Sequence, residues 1–347
     1  MAAAQALPDR WTVDRPGSDD VAQLSELLRR HEHAARGWAT ATHADVRMEV
    51  APGDRSTRRN LVVRDPDGTA RGWGSAHDRA AGRMLLVVVV DPVLSEDVAD
   101  RVADALFGWG VEVAVEVGGR RGVSMQQLDS GAFADDHRQH RWLDRHGFTK
   151  ARTWWQMSRP VTPEEADLRA GTRDGVRIRL VELAADSAPD ENDLRIVHDV
   201  LETSFADHFN SHEETFDEFV SRLREDPGHR WDHWWIAEMV DDEGDLVPAG
   251  ALVGSVSTGA GDAPDGSYVE YIGVLQNARG RGVATSLLRT VIADAAARHR
   301  DRVGLEVDAD SPTKAEALYT AMGWRTVYVT ESWHRNVRVS STPGKQG

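Results

Sequence analysis

A turn of alternating arginine and glycine, Arg279–Gly282, follows the apolar run Tyr268–Leu275 and precedes the amphipathic segment Val283–His299. The glycines allow a tight turn that brings successive backbone N–H groups close to a ligand. A helix that begins at once adds unpaired N–H groups and the positive end of its dipole. With two arginine side chains to add charge, the turn predicts a pyrophosphate site, although a plain connection between strand and helix would use the same residues.

Two other phosphate-binding loops are excluded by their spacing. Position 285 is Thr285, so the full G-x-G-x-x-G fingerprint of dinucleotide-binding proteins is missing. No Gly-Lys-Ser or Gly-Lys-Thr follows the turn, so it is not a P-loop. The pattern that remains is a strand, then Arg-Gly-x-Gly-x-Ala, then a helix.

The composition limits the classes of protein and partner. A chain of 347 residues, 40% of them apolar, is long enough to form two hydrophobic cores. The net charge of −16 argues against nucleic acid or an anionic membrane as the main partner, and it favours a cationic substrate such as an amine. An acidic surface that only keeps the protein soluble is the plainer explanation.

The chain contains no cysteine, no long apolar run of membrane-spanning length, and no pattern of a secretory signal in Met1–Pro8. The absence of cysteine removes disulfides, thiolate nucleophiles and thiolate metal sites. We therefore expect a cytoplasmic protein that has neither a membrane nor a nucleic acid as partner.

Strands and helices alternate in two halves of similar design. Residues 1–160 are expected to form the first domain, 161–175 a linker and 176–340 the second domain. An internal repeat supports this division, because Trp142–Phe148 parallels Leu318–Trp324. The alternation predicts an α/β (α+β) fold, with a central mixed sheet flanked by helices in each domain.

Local patterns predict the elements of the first half. Asn60–Arg64 and Ala70–Ala76 have the pattern of a hairpin, and Met84–Val90 is a continuous apolar run typical of a strand buried on both faces. A helix is predicted from about Ser95 to Trp109, followed by a strand at Glu112–Val117.

A second motif follows the turn. Leu305–Trp324 contains a strand, a segment similar to an Asn-x-x-Ala helix start, and a Tyr-x-x-x-Gly-Trp ending. Together with the turn, this segment closely resembles the GNAT acetyltransferase superfamily over residues 268–324. Two positions depart from the usual pattern of the superfamily: Asn277 stands where Gln or Arg is common, and Ser311 where Asn is usual. Both side chains still offer hydrogen bonds.

The resemblance implies an N-acetyltransferase that moves an acetyl group from acetyl-CoA to a primary amine of a small molecule. It implies direct attack in a ternary complex, with no metal, and a backbone contact from Val274 to the acyl carbonyl or the pantetheine. The expected coenzyme A contacts fall on the end of the strand, the turn, the helix start and the later motif. They are Ile272, Gly273, Val274, Arg279, Gly280, Arg281, Gly282, Val283, Ala284, Ser311 and Ala315.

The duplicated arrangement further resembles the mycothiol synthase-like members of the superfamily. Phe205–Phe209, followed by an acidic helical segment at Glu213–Phe219, fits the same subgroup. In the first half, Asp91–Asp97 has carboxylates and no glycines where the turn would lie. Leu143 stands where Tyr319 stands in the second half. We therefore expect one active site, in the second domain, and a supporting role for the first.

Tyr319 matches the family tyrosine that protonates the departing thiolate. A phenol suits this role because its ordinary pKa, about 10, is comparable with the basicity of a thiolate. Simple packing of a half-buried aromatic ring against the sheet is the alternative.

Glu270 is the predicted general base. Strand alternation predicts that positions 268, 270, 272 and 274 share one face, where a carboxylate among Tyr268, Ile272 and Val274 is unusual. In mycothiol synthase-like enzymes the strand glutamate falls nearer to position 268, which is tyrosine in this chain. The reserve candidates for proton transfer or substrate contact are Asp207, His208 and Glu331.

Several functions stay open at this point. They are mycothiol synthesis itself, acetylation of a basic antibiotic or of a protein amine, and coenzyme A sensing without turnover. His208 and His212 have the i,i+4 spacing of metal ligands, but no Glu follows His208 as in H-E-x-x-H, and no metal is predicted. Monomer and homodimer are both compatible with the sequence.

Overall fold

The structure, a computed structural model, describes residues 7–50, 57–79, 83–170, 175–183, 189–206, 215–224, 229–241, 243–259, 263–311 and 315–339. The α-helices are α1 (Val21–Arg36), α2 (His43–Val50), α3 (Glu96–Arg121), α4 (His137–Arg145), α5 (Glu191–Phe205), α6 (Phe216–Arg224), α7 (Val283–Ala297) and α8 (Ala315–Ala321). The strands are β1 (Thr12–Asp14), β2 (Arg58–Arg64), β3 (Ala70–Arg79), β4 (Arg83–Val90), β5 (Met125–Phe133), β6 (Thr149–Pro160), β7 (Val176–Leu180), β8 (His229–Val240), β9 (Leu246–Ser257), β10 (Gly266–Val274), β11 (Arg302–Asp308) and β12 (Arg325–Arg338). None of the helices in this described part is long and apolar enough to cross a membrane.

Two compact units divide the chain. Unit 1 comprises Met1–Trp154 and Tyr328–Gly347. Its strands follow the order β1-β2-β3-β4-β5-β12, in which β4 and β5 run parallel and the other neighbours antiparallel. Helix α3 covers one face with residues such as Phe107, and α1 and α2 cover the other with Leu24 and Val46. Unit 1 is therefore a mixed sheet between two helical layers, as the alternation predicts.

Unit 2, Trp155–Val327, has the same plan. Its strands follow the order β6-β11-β10-β9-β8-β7, with β10 and β11 parallel. Helices α7 and α8 pack on one face through residues such as Leu287, which we call the α7/α8 face. Helices α5 and α6 pack on the other through Leu201 and Phe219, which we call the α5/α6 face. Any site at the edge of β10 lies between these two layers.

The units take their outer strands from distant parts of the chain. Strand β12 pairs with β5 over nine consecutive positions, from Thr330↔Phe133 to Arg338↔Met125. Strand β6 lies beside β11. The division at residues 154/155 and 327/328 therefore differs from the predicted domain limits at 160 and 176. The physical reason is that pairing between strands far apart in sequence determines where a terminal strand belongs.

One stretch of unit 1 was wrongly predicted. Helix α3 continues through Glu112–Val117, where the alternating valines predict a strand, and ends at Arg121. Val113, Ala114 and Val117 also have helical spacing, and α3 buries them in the core of unit 1. The sequence analysis missed the strand that follows, β5, whereas the β2–β3 hairpin and the strand β4 are confirmed. The predicted burial of β4 on both faces holds only for Val88–Val90, because Leu85 is partly buried and Val87 is exposed.

Candidate active site

Strands β10 and β11 diverge next to the arginine–glycine turn. Their parallel pairing covers three positions and ends at Val269↔Leu305. Beyond that pair β10 continues to Val274 and β11 to Asp308, and these described residues do not pair with each other. We call this opening the splay. Neither strand takes the backbone N–H and C=O groups that the other presents in this opening, so the edge at Ile272–Val274 can bind a ligand.

A β-bulge lies on β10 at the mouth of the splay. The pairing of β10 with β9 shifts register between Val269 and Tyr271, which makes Glu270 the extra residue of the bulge. Bulges are common next to active sites, where they redirect a side chain. The corresponding strand of unit 1, β4, pairs with β3 over eight positions without such a shift. The bulge therefore distinguishes unit 2 from unit 1.

The bulge makes the predicted alternation of β10 wrong. Ile272 and Val274 pack into the core of the α7/α8 face, whereas Tyr268 lies on the α5/α6 face. The carboxylate of Glu270 also reaches the α5/α6 face, because it accepts a hydrogen bond of 2.6 Å from Ser255 Oγ. An extra residue in one strand shifts the two-residue period, so every side chain beyond it changes face.

Polar side chains from four neighbouring strands meet on the α5/α6 face. Tyr268 Oη lies 3.5 Å from Gln156 Oε1, and Gln156 Nε2 donates to the carboxylate of Glu306. We call five side chains the polar band: Gln156 on β6, Glu306 on β11, Tyr268 and Glu270 on β10, and Ser255 on β9. Of these, the sequence analysis missed Gln156, Glu306 and Ser255 as site residues. Glu306 follows Leu305 in the later motif, which was the only available signal.

The arginine–glycine turn has the geometry of an anion site. Gly280 and Gly282 have φ of +75° and +86°, in the left-handed region that favours glycine. Gly282 is the residue before α7, and no side chain caps this helix, so its first N–H groups face outwards without a protein partner from the cap. A Cβ atom at Gly280 would meet nothing within 4 Å. The predicted strand, turn and helix are thus confirmed, and the space above the turn is open.

The two arginines of the turn are exposed and available. Arg279 Nε lies 3.5 Å from Val274 O, which is the long limit of a hydrogen bond. No carboxylate in the described part of the chain forms an ion pair with Arg279 or Arg281. Both guanidinium groups can therefore turn towards a phosphate without breaking a salt bridge.

Tyr319 lies on α8, within the core of the α7/α8 face. Its side chain is 7% exposed, and its ring makes an edge contact with the Trp324 ring at 6.1 Å between centroids. Burial raises the pKa of Tyr319 to about 12, so the phenol is protonated at neutral pH. Leu143, at the corresponding place in unit 1, is a fully buried core residue.

Of the other predicted contacts, five lie in the described part of unit 2 and two lie outside the described residues. A Cβ atom on Gly273 would lie 3.0 Å from Leu201 and Ser204, so α5 packs directly on the end of β10. Ser311 N donates to Asp308 O in the turn after β11. Val283 and Ala284 form the first turn of α7, and Ala315 begins α8. Asp207 and His208 lie outside the described residues.

Glu331, the remaining candidate, belongs to unit 1. Its carboxylate accepts hydrogen bonds of 2.6 Å from Lys150 Nζ and 3.2 Å from Trp333 Nε1. His140 Nε2 lies 3.1 Å from the same carboxylate. The side chain is buried among these partners, and this arrangement gives Glu331 a structural role in unit 1.

The segment of unit 1 that corresponds to the turn is filled by the protein itself. Asp91 is fully buried and bonded to Arg30 and Arg71. Burial alone would raise the pKa of Asp91, but the hydrogen bonds from these arginines hold it below its usual value. Helix α3 then begins with Glu96 and Asp97 in its first turn. The carboxylate of Asp91 thus binds both arginines, and the side chains of Glu96 and Asp97 would repel an incoming anion.

These features fit an acyl-coenzyme A thioester in unit 2. The turn offers open space and unpaired N–H groups to a pyrophosphate, the splay offers backbone edges to an amide-rich arm, and Tyr319 offers a proton. In the described part of the chain, no group of three or more His, Asp or Glu side chains could hold a metal ion.

Comparison with known proteins relates this chain to acetyltransferases. The model of the acetyltransferase (GNAT) family matches residues 196–324. A mycothiol acetyltransferase from Stackebrandtia nassauensis is 25% identical over 328 residues, which cover 92% of this chain and 97% of the relative.

Two solved structures share the fold over nearly the whole chain. A GCN5-related N-acetyltransferase from Sphaerobacter thermophilus has a TM-score of 0.71 at 21% identity and covers 97% of this chain and 99% of its own. A tandem GNAT protein from the clavulanic acid biosynthesis pathway has a TM-score of 0.65 at 16% identity, with 95% and 99% coverage. The fold is therefore that of tandem GNAT proteins.

Proposed function

From the premise that this chain is an N-acetyltransferase of the GNAT family through residues 196–324, we propose that unit 2 transfers the acetyl group of acetyl-CoA to a primary amine of a small molecule. The observation that carries the proposal is the open turn with two left-handed glycines, which lies between the splay of β10 and the uncapped start of α7. Unit 1 has neither the glycines nor the bulge. We therefore assign one active site to the chain.

The turn and the splay hold the donor. The N–H groups of Gly280, Gly282 and the first turn of α7 bind the pyrophosphate, and Arg279 and Arg281 add positive charge. The edge of β10 from Ile272 to Val274 binds the pantetheine arm through its backbone, while Ser311 and Ala315 border the arm on the other side. The donor supplies the acetyl group as a thioester. By holding it beside the acceptor, these residues make the transfer effectively unimolecular.

Glu270 and Tyr319 carry the proton transfers. Glu270, on the bulge, takes a proton from the nitrogen as the new bond to the acyl carbon forms, and Ser255 holds its carboxylate in place. Tyr319 donates its proton to the sulfur as the bond between carbon and sulfur breaks. Burial keeps this phenol protonated until the thiolate develops beside it.

A second candidate acceptor comes from the relative with 25% identity. That protein is a mycothiol acetyltransferase, and the alignment covers 97% of it, so its acceptor belongs in any substrate panel. A basic antibiotic or a protein amine suits the net charge of −16 equally. A sensor without turnover would bind acetyl-CoA and acetylate none of these.

Thiol release from acetyl-CoA tests the proposal. We would measure it with ethanolamine, benzylamine, spermidine, glucosamine, lysine methyl ester and the acceptor of mycothiol acetyltransferase. Turnover that depends on one of these amines supports the proposal. Tight binding of acetyl-CoA without turnover on any of them supports the sensor instead.

The Tyr319→Phe variant tests the assigned acid. It removes one oxygen from a packed ring, so we expect kcat to fall by about 10²-fold or more while the Kd for acetyl-CoA changes little. Tyr328→Phe, which makes the same change in unit 1, is the control and should keep wild-type kcat. An unchanged kcat in Tyr319→Phe would show that the tyrosine only packs against the sheet.

A further inference from the structure

The polar band contains a second carboxylate to which the proposed reaction assigns no task. Glu306 is the first residue of β11 beyond the last pair with β10, so it stands at the mouth of the splay. Glu270 occupies the next position on β10 after the same pair. The two carboxylates therefore come from adjacent strands at the same level of the opening.

Strand alternation decides the face to which Glu306 belongs. Val303, Leu305 and Val307 are buried in the core of the α7/α8 face. Glu306 therefore points to the α5/α6 face, with the polar band, because neighbouring residues of a strand point to opposite faces. Tyr319 belongs to the core on the other side. The splay between β10 and β11 is an opening through which an acceptor that approaches Glu306 can meet a thioester beside Tyr319.

Tyr268 and Gly304 shape the floor beside Glu306. A Cβ atom on Gly304 would lie 3.0 Å from Tyr268 Cδ2, so the missing side chain lets the tyrosine ring lie over β11. The Tyr268 hydroxyl then reaches Gln156, whose amide nitrogen donates to Glu306. Gln156, on β6, thus holds the carboxylate of Glu306 in one orientation.

The surroundings make Glu306 a stronger base than an ordinary glutamate. Its side chain is exposed on the α5/α6 face, next to Gln156 and two residues before Asp308. Desolvation raises the pKa of Glu306, the hydrogen bond from Gln156 lowers it by less, and the charge of Asp308 raises it further. The titratable groups on the neighbouring strand β10 are Tyr268, Glu270 and Tyr271, and β6 contributes the neutral Gln156.

We propose that Glu306, positioned by Gln156, receives the acceptor as its ammonium ion and removes the first of the two protons that the nitrogen must lose. This inference rests on the proposed function and deepens it. It defines the acceptor class as primary amines that are cationic at neutral pH, for which a carboxylate at the mouth of the splay is the complementary partner.

The protons and bonds balance with two carboxylates and one phenol. Glu306 takes a proton from R–NH₃⁺ and leaves R–NH₂, which forms the bond to the acyl carbon. Glu270 takes the second proton from that nitrogen, the carbon–sulfur bond breaks, and Tyr319 gives its proton to the sulfur. One of the two glutamic acids returns a proton to Tyr319 and the other releases one to solvent, so each turnover yields amide, thiol and one H⁺.

The Glu306→Gln variant separates this role from that of Glu270. With the fastest amine of the panel, we expect its kcat/KM at pH 7 to fall by about 10²-fold or more. The loss should shrink to a few-fold near the pKa of an alkylamine, about 10, because free amine needs no first deprotonation. Glu270→Gln should stay slow at that pH, since the second proton must still leave.

Two controls distinguish a catalytic effect of Glu306→Gln from a loss of folding. Glu243→Gln makes the same change on an exposed turn and should leave both rate and pH profile unchanged. The Kd for acetyl-CoA should stay at the wild-type value in Glu306→Gln. An active wild type in which Glu306→Gln keeps its rate at pH 7 would overturn the role of Glu306 alone, whereas a wild type that acetylates no amine would overturn the proposed function and this role with it.

A measurement without donor or turnover gives an independent readout. Carbon-13 NMR of glutamate-labelled protein, assigned with Glu306→Gln, should show one carboxylate that titrates above the ordinary value of about 4.3. In Gln156→Met its pKa should rise further, because the donor that stabilises the charged form is lost. Titration of Glu306 at the ordinary value, or no response to Gln156→Met, would overturn the proposal.

Discussion

Single residues of unit 2 acquire their chemistry from the groups around them. Tyr319 lies among apolar side chains of the α7/α8 face. They disfavour the phenolate and so raise the pKa of the hydroxyl, which keeps its proton. Glu306 lies on the opposite face, where desolvation raises the pKa of its carboxyl group and so favours the neutral form. One group therefore holds a proton to give and the other readily accepts one. This is the arrangement that an acyl transfer with proton exchange requires.

The raised pKa of Tyr319 predicts the alkaline side of the pH profile. A phenol with a pKa of about 12 is almost fully protonated at pH 10, so ionisation of Tyr319 should cause no fall in kcat/KM for acetyl-CoA between pH 8 and pH 10. The sign follows from the acid role, because activity is present below the pKa and is lost only as pH rises through it. A profile in wild-type protein, with activity checked again after return to pH 7.5, measures this. A fall with a midpoint near 9 that disappears in Tyr319→Phe would contradict the assignment.

At the scale of elements, the turn and the bulge do different work. The turn makes backbone N–H groups point outwards, and this depends on two left-handed glycines. The bulge leaves Glu270 on the α5/α6 face with Tyr268 and places Ile272 and Val274 on the α7/α8 face. Neither feature exists at the corresponding place in unit 1, where β4 pairs with β3 without a register shift and Asp91 binds Arg30 and Arg71.

Gly280→Ala tests the turn against a matched control in the same unit. Both Gly280 and Gly244 have positive φ, +75° and +91°, and a Cβ atom on either would meet nothing within 4 Å. Each change to alanine should therefore cost about 1 kcal/mol of folding stability through the left-handed backbone. Only Gly280→Ala should weaken acetyl-CoA binding, because its methyl group enters the space of the phosphate.

Calorimetry of acetyl-CoA binding and thermal unfolding of both variants measure this contrast. A rise in Kd of about tenfold or more in Gly280→Ala, with wild-type Kd in Gly244→Ala, is the expected result. Equal affinities in the two variants would show that the turn is only a connection between β10 and α7.

At the scale of the whole molecule, two units of the same plan differ in what they can bind. Both have a parallel strand pair that covers three positions. In unit 1 the segment after β4 is occupied by internal ion pairs of Asp91, and Leu143 replaces the tyrosine. In unit 2 the two arginines of the turn are exposed and form no ion pair with a described carboxylate, and Tyr319 is buried in the core of the α7/α8 face.

One molecule of acetyl-CoA should therefore bind per chain. A calorimetric titration of the full chain should give a stoichiometry of one, and Gly280→Ala should weaken that single site. Two sites per chain, or one site that Gly280→Ala leaves unaffected, would place a donor in unit 1 and contradict the assignment of a single active site.

The sequence by itself determined the features that depend on neighbours along the chain. The order of strand, Arg279–Gly282 and helix, and the position of Tyr319 on a helix after β11, are local patterns, and the structure contains both. The internal repeat likewise predicts the alternating elements. The local pattern failed at Glu112–Val117, because Val113, Ala114 and Val117 also fit one side of a helix, which the core of unit 1 buries.

Only the tertiary structure decided which polar groups meet at the splay. Gln156 and Glu306 are 150 positions apart, and they come together because β6 lies beside β11. The face of each side chain on β10 depends on a bulge, which arises from pairing with β9 and leaves no periodic mark in the sequence. Strand pairing is a long-range property, so the residues around the turn were predictable, whereas the polar band across four strands was not.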